Sequence, residues 1–420
     1  MKLKKIYMFT FLCLIITGCS ILNSNENNDI KETILSNKIL KSEDEYKKTD
    51  YKLFINIPRE LGLYEPVEGC YIGAYILSNP DINFDIDLFE KTTGVSHGIY
   101  LRNIKLGSVF PINWILECTS RIKTPNIILQ APSKEYPYQD FLLEKTAKEF
   151  GQYFIPMFVQ FYPNPQQYRD PREYKEFFKK ARNIFKKYAP NVAFVWSINL
   201  DNTKDSLIYY PGDEAVDWIG INVYDTINNS EDIFEDIDFI YYYFQSKKPI
   251  MISQLGISHY SKKGHRYYID EASDKISYFY NNIKNNYPQI KAINYMDFNN
   301  IEAAPEGQGH DNFRITSHKE LIDSYKSVLN NEYFIDTIDI QNIYDIKNQW
   351  ISSYYPIYER NEEFFISKNV LEYEWNEKDL FINEENNTII DGNIYYPLKV
   401  LQQDNNLNLI IEKKKIIKIK

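Results

Sequence analysis

Between residues 71 and 298 the sequence alternates short apolar segments with amphipathic segments of helical spacing. The apolar segments are continuous runs, which is typical of parallel strands that are covered on both faces. Helical spacing is clearest in Tyr174–Tyr188 and Ala272–Tyr287. The predicted strands are Tyr71–Leu77, Gly98–Asn103, Asn126–Pro132, Tyr153–Phe161, Val192–Asn199, Trp218–Tyr224, Pro249–Gly256 and Lys291–Phe298.

Eight strand-then-helix units within about 250 residues are what one (β/α)8 TIM barrel needs, so the predicted fold class is α/β. Functional side chains of such barrels lie where the strands end, at the C-terminal face. The sequence therefore directs attention to the last residues of each strand. Those of the later strands are Gln160 and Tyr162 (fourth), Trp196 and Asn199 (fifth), Asn222 and Tyr224 (sixth), Gln254 (seventh) and Asp297 (eighth).

The N-terminus is predicted to be a targeting segment. Lys2, Lys4 and Lys5 precede an apolar stretch too short to span a bilayer, which ends in a lipobox-like Thr-Gly-Cys at Cys19. Residues 1–19 are thus predicted to be a lipoprotein signal peptide, and Cys19 the lipidation site that holds the protein on the extracytoplasmic face of a bacterial membrane. An ordinary signal peptide with an incidental cysteine is the alternative. The polar residues 20–50 are predicted to form a disordered tether.

Charge and cysteine content bear on which partners and which disulfide the chain could have. The net charge is −10 and no basic stripe interrupts it, which argues against a nucleic-acid partner. The chain has 36 tyrosines, whose rings suit sugar stacking but equally fit a codon bias. Beyond Cys19 only Cys70 and Cys118 remain, and the sequence leaves open whether they form a disulfide or are two buried thiols.

Several segments in the barrel region resemble glycoside hydrolase family 26, the β-mannanase-like retaining endoglycanases. The resemblance extends from Tyr71 to Phe334 and places the barrel within residues 51–334. It implies a glutamate acid/base at the end of strand four and a glutamate nucleophile at the end of strand seven. The segments that carry it are Tyr71–Tyr75, Ala189–Ser197, Tyr209–Asp213, Val216–Tyr224, Lys248–Ser253 and Ile290–Asn294.

This chain departs from that pattern at both catalytic positions. Gln254 matches the nucleophile, and the alignment places Gln160 on the acid/base. An amide keeps the volume of a carboxylate but has neither its charge nor an acidic proton. The resemblance therefore implies a catalytically inactive, carbohydrate-binding barrel that engages a polysaccharide or cell-envelope glycan.

Two other functions remain open at this point. The chain could be an active hydrolase, either through other carboxylates such as Asp201, Asp225, Asp297 or Glu302, or because strand four aligns differently. It could also be a structural envelope protein. No cofactor or metal is expected, because the histidines lack metal-ligand spacing. Candidate sugar contacts, which could instead cap the barrel core, are Trp114, Tyr162, Trp196, Asn199, Asn222, Tyr224, Tyr260 and Asp297.

After the barrel, residues 335–420 lose the strand–helix rhythm. The pattern from Ile389 onward predicts a strand, a short helix and two strands, with a tight turn at Asp391-Gly392. This small α+β module resembles the copper amine oxidase N-terminal type, although it has no copper-ligand cluster. The resemblance implies an attachment or spacer role.

Overall fold

A computed structural model describes residues 46–56, 61–133, 135–168, 170–200, 203–226, 232–262, 264–338, 350–353, 357–371, 383–406, 408–412 and 415–419. The predicted signal peptide, its Cys19 and nearly all of the predicted tether lie outside these residues. Within them, no helix is long and apolar enough to cross a membrane.

Strands begin with two short segments, β1 (Lys47–Lys48) and β2 (Lys52–Asn56), that precede the barrel. The barrel region follows, and its strands agree with the eight predicted ones to within a few residues. In chain order the strands of this region are β3 (Cys70–Tyr75), β4 (Ile99–Lys105), β5 (Thr124–Gln130), β6 (Met157–Phe161), β7 (Val192–Asn199), β8 (Trp218–Asp225), β9 (Ile250–Ile257), β10 (Tyr260–Ser261), β11 (Arg266–Tyr267), β12 (Ile290–Met296), β13 (Asp311–Asn312) and β14 (Phe334–Ile335).

Eight of these strands close into a parallel barrel. The order β3-β4-β5-β6-β7-β8-β9-β12 returns to its start because β12 pairs with β3, with Ala292 opposite Tyr71 and Met296 opposite Tyr75. Helices connect the strands along the outside, so the predicted (β/α)8 TIM barrel is confirmed. These helices are α1 (Ile86–Thr93), α2 (Ile112–Ser120), α3 (Asp140–Phe150), α4 (Pro171–Tyr188), α5 (Thr203–Ser206), α6 (Ile233–Phe244), α7 (Ile269–Asn286), α8 (Asn300–Ala303) and α9 (Lys319–Leu329).

Helix α4 shows how local sequence sets an element. Asp170 caps its N-terminus by accepting a hydrogen bond from the backbone N–H of Arg172, and Pro171 occupies the first helical position. Phe178, Ala181 and Phe185 are fully buried against the barrel. Cys70 and Cys118 are both buried free thiols, which answers the question that the sequence left open.

The connections after β9 and β12, which show no pattern in the sequence, meet in a small antiparallel sheet. In this rim sheet β10 pairs with both β11 and β13, and Tyr260 lies opposite Tyr267 on one side and Asn312 on the other. The rim sheet follows the C-terminal ends of two barrel strands and so lies at the functional face.

The C-terminal part contains β15 (Trp350–Ser353), β16 (Tyr358–Arg360), β17 (Glu363–Ser367), β18 (Thr388–Ile390), β19 (Asn393–Pro397), α10 (Leu398–Asn405), β20 (Asn408–Glu412) and β21 (Lys415–Ile419). With β1 and β2 these strands form two further sheets, of order β1-β16-β17-β19-β18 and β15-β2-β21-β20. Asp391 and Gly392 form the predicted tight turn, both with positive φ. Strand β2 pairs with β15 and β21 and not with the barrel, so the module includes residues that the predicted boundary at 51 assigned to the barrel.

Candidate functional site

Apolar side chains fill the inside of the barrel up to the level at which the strands end. Leu101, Phe158, Val195 and Trp218 belong to this interior cluster. Because side chains alternate along a strand, residues two and four positions further on share the same inner face. We call the polar layer above the cluster the barrel mouth, and its side chains are Tyr75, Asn103, Lys105, Gln130, Asn199, Asn222, Tyr224 and Gln254.

A β-bulge turns Gln254 toward this mouth. Strand β9 pairs with β8 through Ile252 opposite Ile221, and then through Gln254 opposite Asn222, so Ser253 is an extra residue. Such a bulge re-aims the side chain that follows it. The Gln254 Oε1 accepts a hydrogen bond of 2.7 Å from the hydroxyl of Tyr224, which is 38% exposed. The predicted seventh-strand residue is therefore at the surface of the mouth.

Asn222 is the centre of an amide network at the mouth. Its Nδ2 donates to the Oδ1 of Asn164 and to the Oδ1 of Asn199, each at 3.0 Å. Its Oδ1 accepts from the Ser197 hydroxyl at 3.3 Å. The network therefore joins the ends of the fourth, fifth and sixth barrel strands through uncharged groups.

The fourth strand presents Asn164 to the network and keeps Gln160 below it. Gln160 is fully buried, and its Nε2 donates to the Oδ1 of Asn126 at 3.3 Å. Asn164 follows the strand with φ 56°, a left-handed conformation that asparagine tolerates well. Sequence reasoning missed Asn164, although a polar residue between Pro163 and Pro165 just after a buried strand was a usable indication.

Three of the predicted aromatic sugar contacts lie away from the mouth. Trp114 is buried on α2 with the Arg102 guanidinium over its ring. Tyr162 is buried in a stack of aromatic rings, and its hydroxyl donates to a backbone carbonyl. Trp196 packs against Tyr210 and Phe244 on the outer face of β7, because Val195 beside it faces inward. Strand alternation turns Trp196 outward, a positive φ of 47° at Tyr162 interrupts the alternation after the fourth strand, and Trp114 lies on a helix.

Aromatic rings do line one side of the mouth. The Tyr224 ring lies 5.4 Å from Phe313, whose centroid is 5.5 Å from that of Phe298. Tyr75 contacts Phe298 edge-on from the first strand. Tyr260, another predicted contact, lies in the rim sheet with its ring 4.7 Å from that of Tyr267. Tyr224 thus remains a mouth residue, and Tyr260 belongs to the rim.

Asp297 is a buried residue that links two loop segments, called the latch below, and not a mouth residue. Its carboxylate accepts hydrogen bonds from the Asn79 side chain at 2.6 Å and from the Thr316 hydroxyl and backbone N–H at 3.0 and 3.2 Å. Burial raises the pKa of Asp297, and these hydrogen bonds act in the opposite direction. Asp297 therefore ties together the segments after the first and last barrel strands, which corrects its prediction as a sugar contact.

The other carboxylates considered for a relocated catalytic pair also have structural partners. Asp225 is buried and its carboxylate lies 2.7 Å from the Lys275 ammonium. Glu302 pairs with Arg314 at 2.6 Å. Asp201 lies outside the described residues. Within the described ranges, no group of three or more His, Cys, Asp or Glu side chains could hold a metal ion.

The mouth is therefore a surface of amides with two phenols, those of Tyr75 and Tyr224, and one ammonium. Over the part of the chain that the structure describes, no carboxylate faces the barrel axis at the strand ends. Amides donate and accept hydrogen bonds with hydroxyl groups, but they do not exchange protons as acids or bases near neutral pH. Such a surface can hold a polyhydroxylated ligand and lacks an acid–base pair.

Comparison by sequence gives one family. The family described as Glycosyl hydrolase family 26 matches residues 160–300, from Gln160 to the segment after the last barrel strand, and includes Gln254. This match supports a family 26-like barrel. Curated proteins give no match to this chain.

The solved structures that resemble this chain in fold include several family 26 proteins. One is a β-mannanase from Bacteroides ovatus, at TM-score 0.49 and 11% identity, covering 67% of this chain and 94% of that one. A second is the catalytic domain of an endo-β-1,4-mannanase from a Bacillus species, at TM-score 0.47 and 13% identity, covering 66% and 94%. A third is a family 26 protein from a Muricauda species, at TM-score 0.48 and 14% identity, covering 68% and 91%.

Proposed function

We propose that the chain is a surface lipoprotein whose family 26-like barrel binds a glycan without cleaving it. The glycan is a polysaccharide of the environment or of the cell envelope. The N-terminal segment that ends at Cys19 supports the lipid anchor, and the barrel mouth supports the glycan.

One observation carries the proposal. Gln254 occupies the end of the seventh barrel strand, where the family resemblance implies a nucleophilic glutamate. The bulge at Ser253 turns Gln254 to the mouth and Tyr224 hydrogen-bonds it, so the position retains the orientation of a functional side chain. Only the carboxylate is missing.

The loss affects catalysis and binding differently. Retaining hydrolysis needs two carboxyl groups about 5–5.5 Å apart, one to protonate the leaving oxygen and one to attack the anomeric carbon. An amide at either position lowers the rate of hydrolysis by several powers of ten. The same amide still hydrogen-bonds sugar hydroxyls, and the rings beside Tyr224 provide an apolar face for a sugar.

The strand-four position decides how activity could be restored. Gln160 is the residue that sequence alignment favours, whereas Asn164 is the residue that contacts Asn222 at the mouth. We propose that Asn164 is the residue that replaces the acid/base in space. A glutamate at 160 would be buried under the mouth, and a glutamate at 164 would reach it.

The experiment measures reducing-sugar release from mannan, glucan, xylan and peptidoglycan glycans. It uses the chain from residue 20 onward, which keeps every residue that the structure describes. The parent is compared with two double variants, Asn164→Glu/Gln254→Glu and Gln160→Glu/Gln254→Glu. We expect no reducing-sugar release by the parent and release by the first variant. The glycan that this variant cleaves would identify the sugar.

Each other outcome has a definite meaning. Activity of the parent would refute the inactive-barrel proposal and favour an active hydrolase. Activity of the Gln160 variant alone would return the acid/base position to Gln160. Silence of all three, combined with no glycan binding, would favour a structural role in the envelope.

A further inference from the structure

The outer surface of the barrel carries two apolar side chains that are almost completely exposed. Val109 is 90% exposed and Phe154 is 94% exposed. Their sequence neighbours Phe110 and Tyr153 stack on each other, with ring centroids 5.4 Å apart and planes at 15°. This stack brings together the two chain segments that carry the exposed side chains.

Helix α2 extends the same region. Ile112 and Leu116 are one turn apart on a single face, and each is about half exposed. Ile122, just after the helix, is mostly exposed. We call Val109, Ile112, Leu116, Ile122 and Phe154 the apolar surface. An exposed apolar area of this kind marks a site of contact with another molecule or a membrane.

The apolar surface reaches the end of the barrel opposite the mouth. Ile122 lies in the connection that leads into β5, and Phe154 lies in the connection that leads into β6. Both connections therefore precede the N-terminal ends of their strands. Val109 follows β4, but its neighbour Phe110 packs on Phe150 and Tyr153, which lie at this same end. A molecule held at the apolar surface would leave the mouth unobstructed.

The chain also enters and leaves the barrel at this end. Tyr64, shortly before β3, donates a hydrogen bond to the backbone carbonyl of Asn191, which precedes β7. After the last barrel strand, β14 pairs with the first residues of β3, with Phe334 opposite Cys70. The N-terminal and C-terminal parts of the protein thus join the barrel on the side away from the mouth.

Charges beside the apolar surface are paired. The Arg121 guanidinium lies 2.6 Å from the Asp87 carboxylate, and Lys148 pairs with Glu144 one helical turn away. The region therefore offers little net charge, and its contacts should depend on apolar burial and not on salt.

We infer that the apolar surface rests on the outer leaflet of the membrane that holds the lipid anchor. The inference rests on the lipid anchor at Cys19 that is part of the proposed function. Residues 20–45 can span at most about 90 Å, which keeps the barrel within reach of the bilayer. Phe, Leu and Val side chains enter the boundary between headgroups and acyl chains favourably. In this orientation the barrel mouth faces away from the cell.

The test measures partition into phosphatidylcholine vesicles by sedimentation, using the chain from residue 20 onward so that neither lipid nor signal segment contributes. The parent is compared with the Val109→Asp/Phe154→Asp variant. The matched control is Tyr136→Asp, since Tyr136 is exposed on the segment after β5 at the mouth end. We expect the double variant to bind at least about tenfold more weakly, as loss of one buried Phe side chain alone accounts for that factor.

Binding of the parent should also be unchanged between low and high salt. No binding by the parent, or an equal loss in the Tyr136 control, would overturn the inference. So would a parent that dimerises in solution through this surface and becomes monomeric in the double variant. Mass spectrometry of the mature N-terminus tests lipidation at Cys19 separately, so a missing anchor and a non-binding surface are distinguishable.

Discussion

Two buried histidines should make the fold sensitive to mild acid. His97 is fully buried, and its Nε2 lies 2.8 Å from the Tyr325 hydroxyl. His259 is fully buried beside the rim sheet, with its Nε2 3.1 Å from the Ser317 hydroxyl. Burial lowers the pKa of each to about 3, with Lys123 contributing at His97. Both side chains are therefore neutral in the folded protein throughout the physiological range.

The size of the effect follows from the difference between folded and unfolded pKa values. An unfolded histidine has a pKa of about 6.5, so the unfolded state takes up protons first as the pH falls. The contribution to stability is fully present above pH 6.5 and is lost as the pH falls toward 3. Between pH 7.5 and 5.5 each histidine should lower the unfolding free energy by about 1.4 kcal/mol, and the pair by about twice that.

The assay is urea unfolding followed by tryptophan fluorescence at pH 7.5 and 5.5. His97→Phe and His259→Gln should each remove about half of the pH-dependent loss, whatever their effect on absolute stability. Carboxylates with a raised pKa, such as that of Asp297, affect every variant alike and cancel in this comparison. The exposed His310→Gln is the control and should change nothing. If both buried variants retain the whole loss, the reasoning is refuted.

Two further predictions concern the latch and the thiols. Asp297→Ala leaves three donor groups, on buried Asn79 and partly buried Thr316, without their acceptor and should lower the unfolding free energy by about 3 kcal/mol. Glu302→Gln, at an exposed carboxylate that pairs with Arg314, should cost less than about 1 kcal/mol in the same urea titration. Equal costs would contradict the latch. In the chain from residue 20 onward, Cys70 and Cys118 should not react with a thiol reagent until the protein unfolds, because burial raises the pKa of both thiols. Fast labelling of either cysteine in the folded protein would contradict this prediction.

The architecture was predictable because burial on both faces produces continuous apolar runs. Val192–Asn199 coincides with its strand in the structure, and the other runs differ from theirs by a few residues at either end. Side-chain direction was harder to predict. Trp196 and Asn199 belong to one strand, yet only Asn199 faces the barrel axis, because the alternation is fixed by which residues fill the interior.

Contacts between residues far apart in the sequence could not be predicted from local patterns. Asn164 acquires its role through a hydrogen bond to Asn222, 58 positions away. Strand β2 is completed by strands from the other end of the chain, and no local pattern in Lys52–Asn56 indicates that pairing. The latch at Asp297 likewise depends on Asn79, which a pattern of strand ends does not single out.

The central claim is that the barrel binds a glycan without cleaving it, and its most direct test is glycan binding by the parent chain without substitutions. Affinity electrophoresis through mannan, glucan, xylan and peptidoglycan glycans would compare the parent with Gln254→Leu, which keeps the side-chain size and removes the hydrogen-bonding amide, and with Tyr136→Ser as a surface control. We predict that one glycan retards the parent and the control without releasing reducing ends, and that Gln254→Leu binds it at least about tenfold more weakly. Retardation by no glycan, or release of reducing sugar by the parent, would contradict a binding barrel that has lost its chemistry.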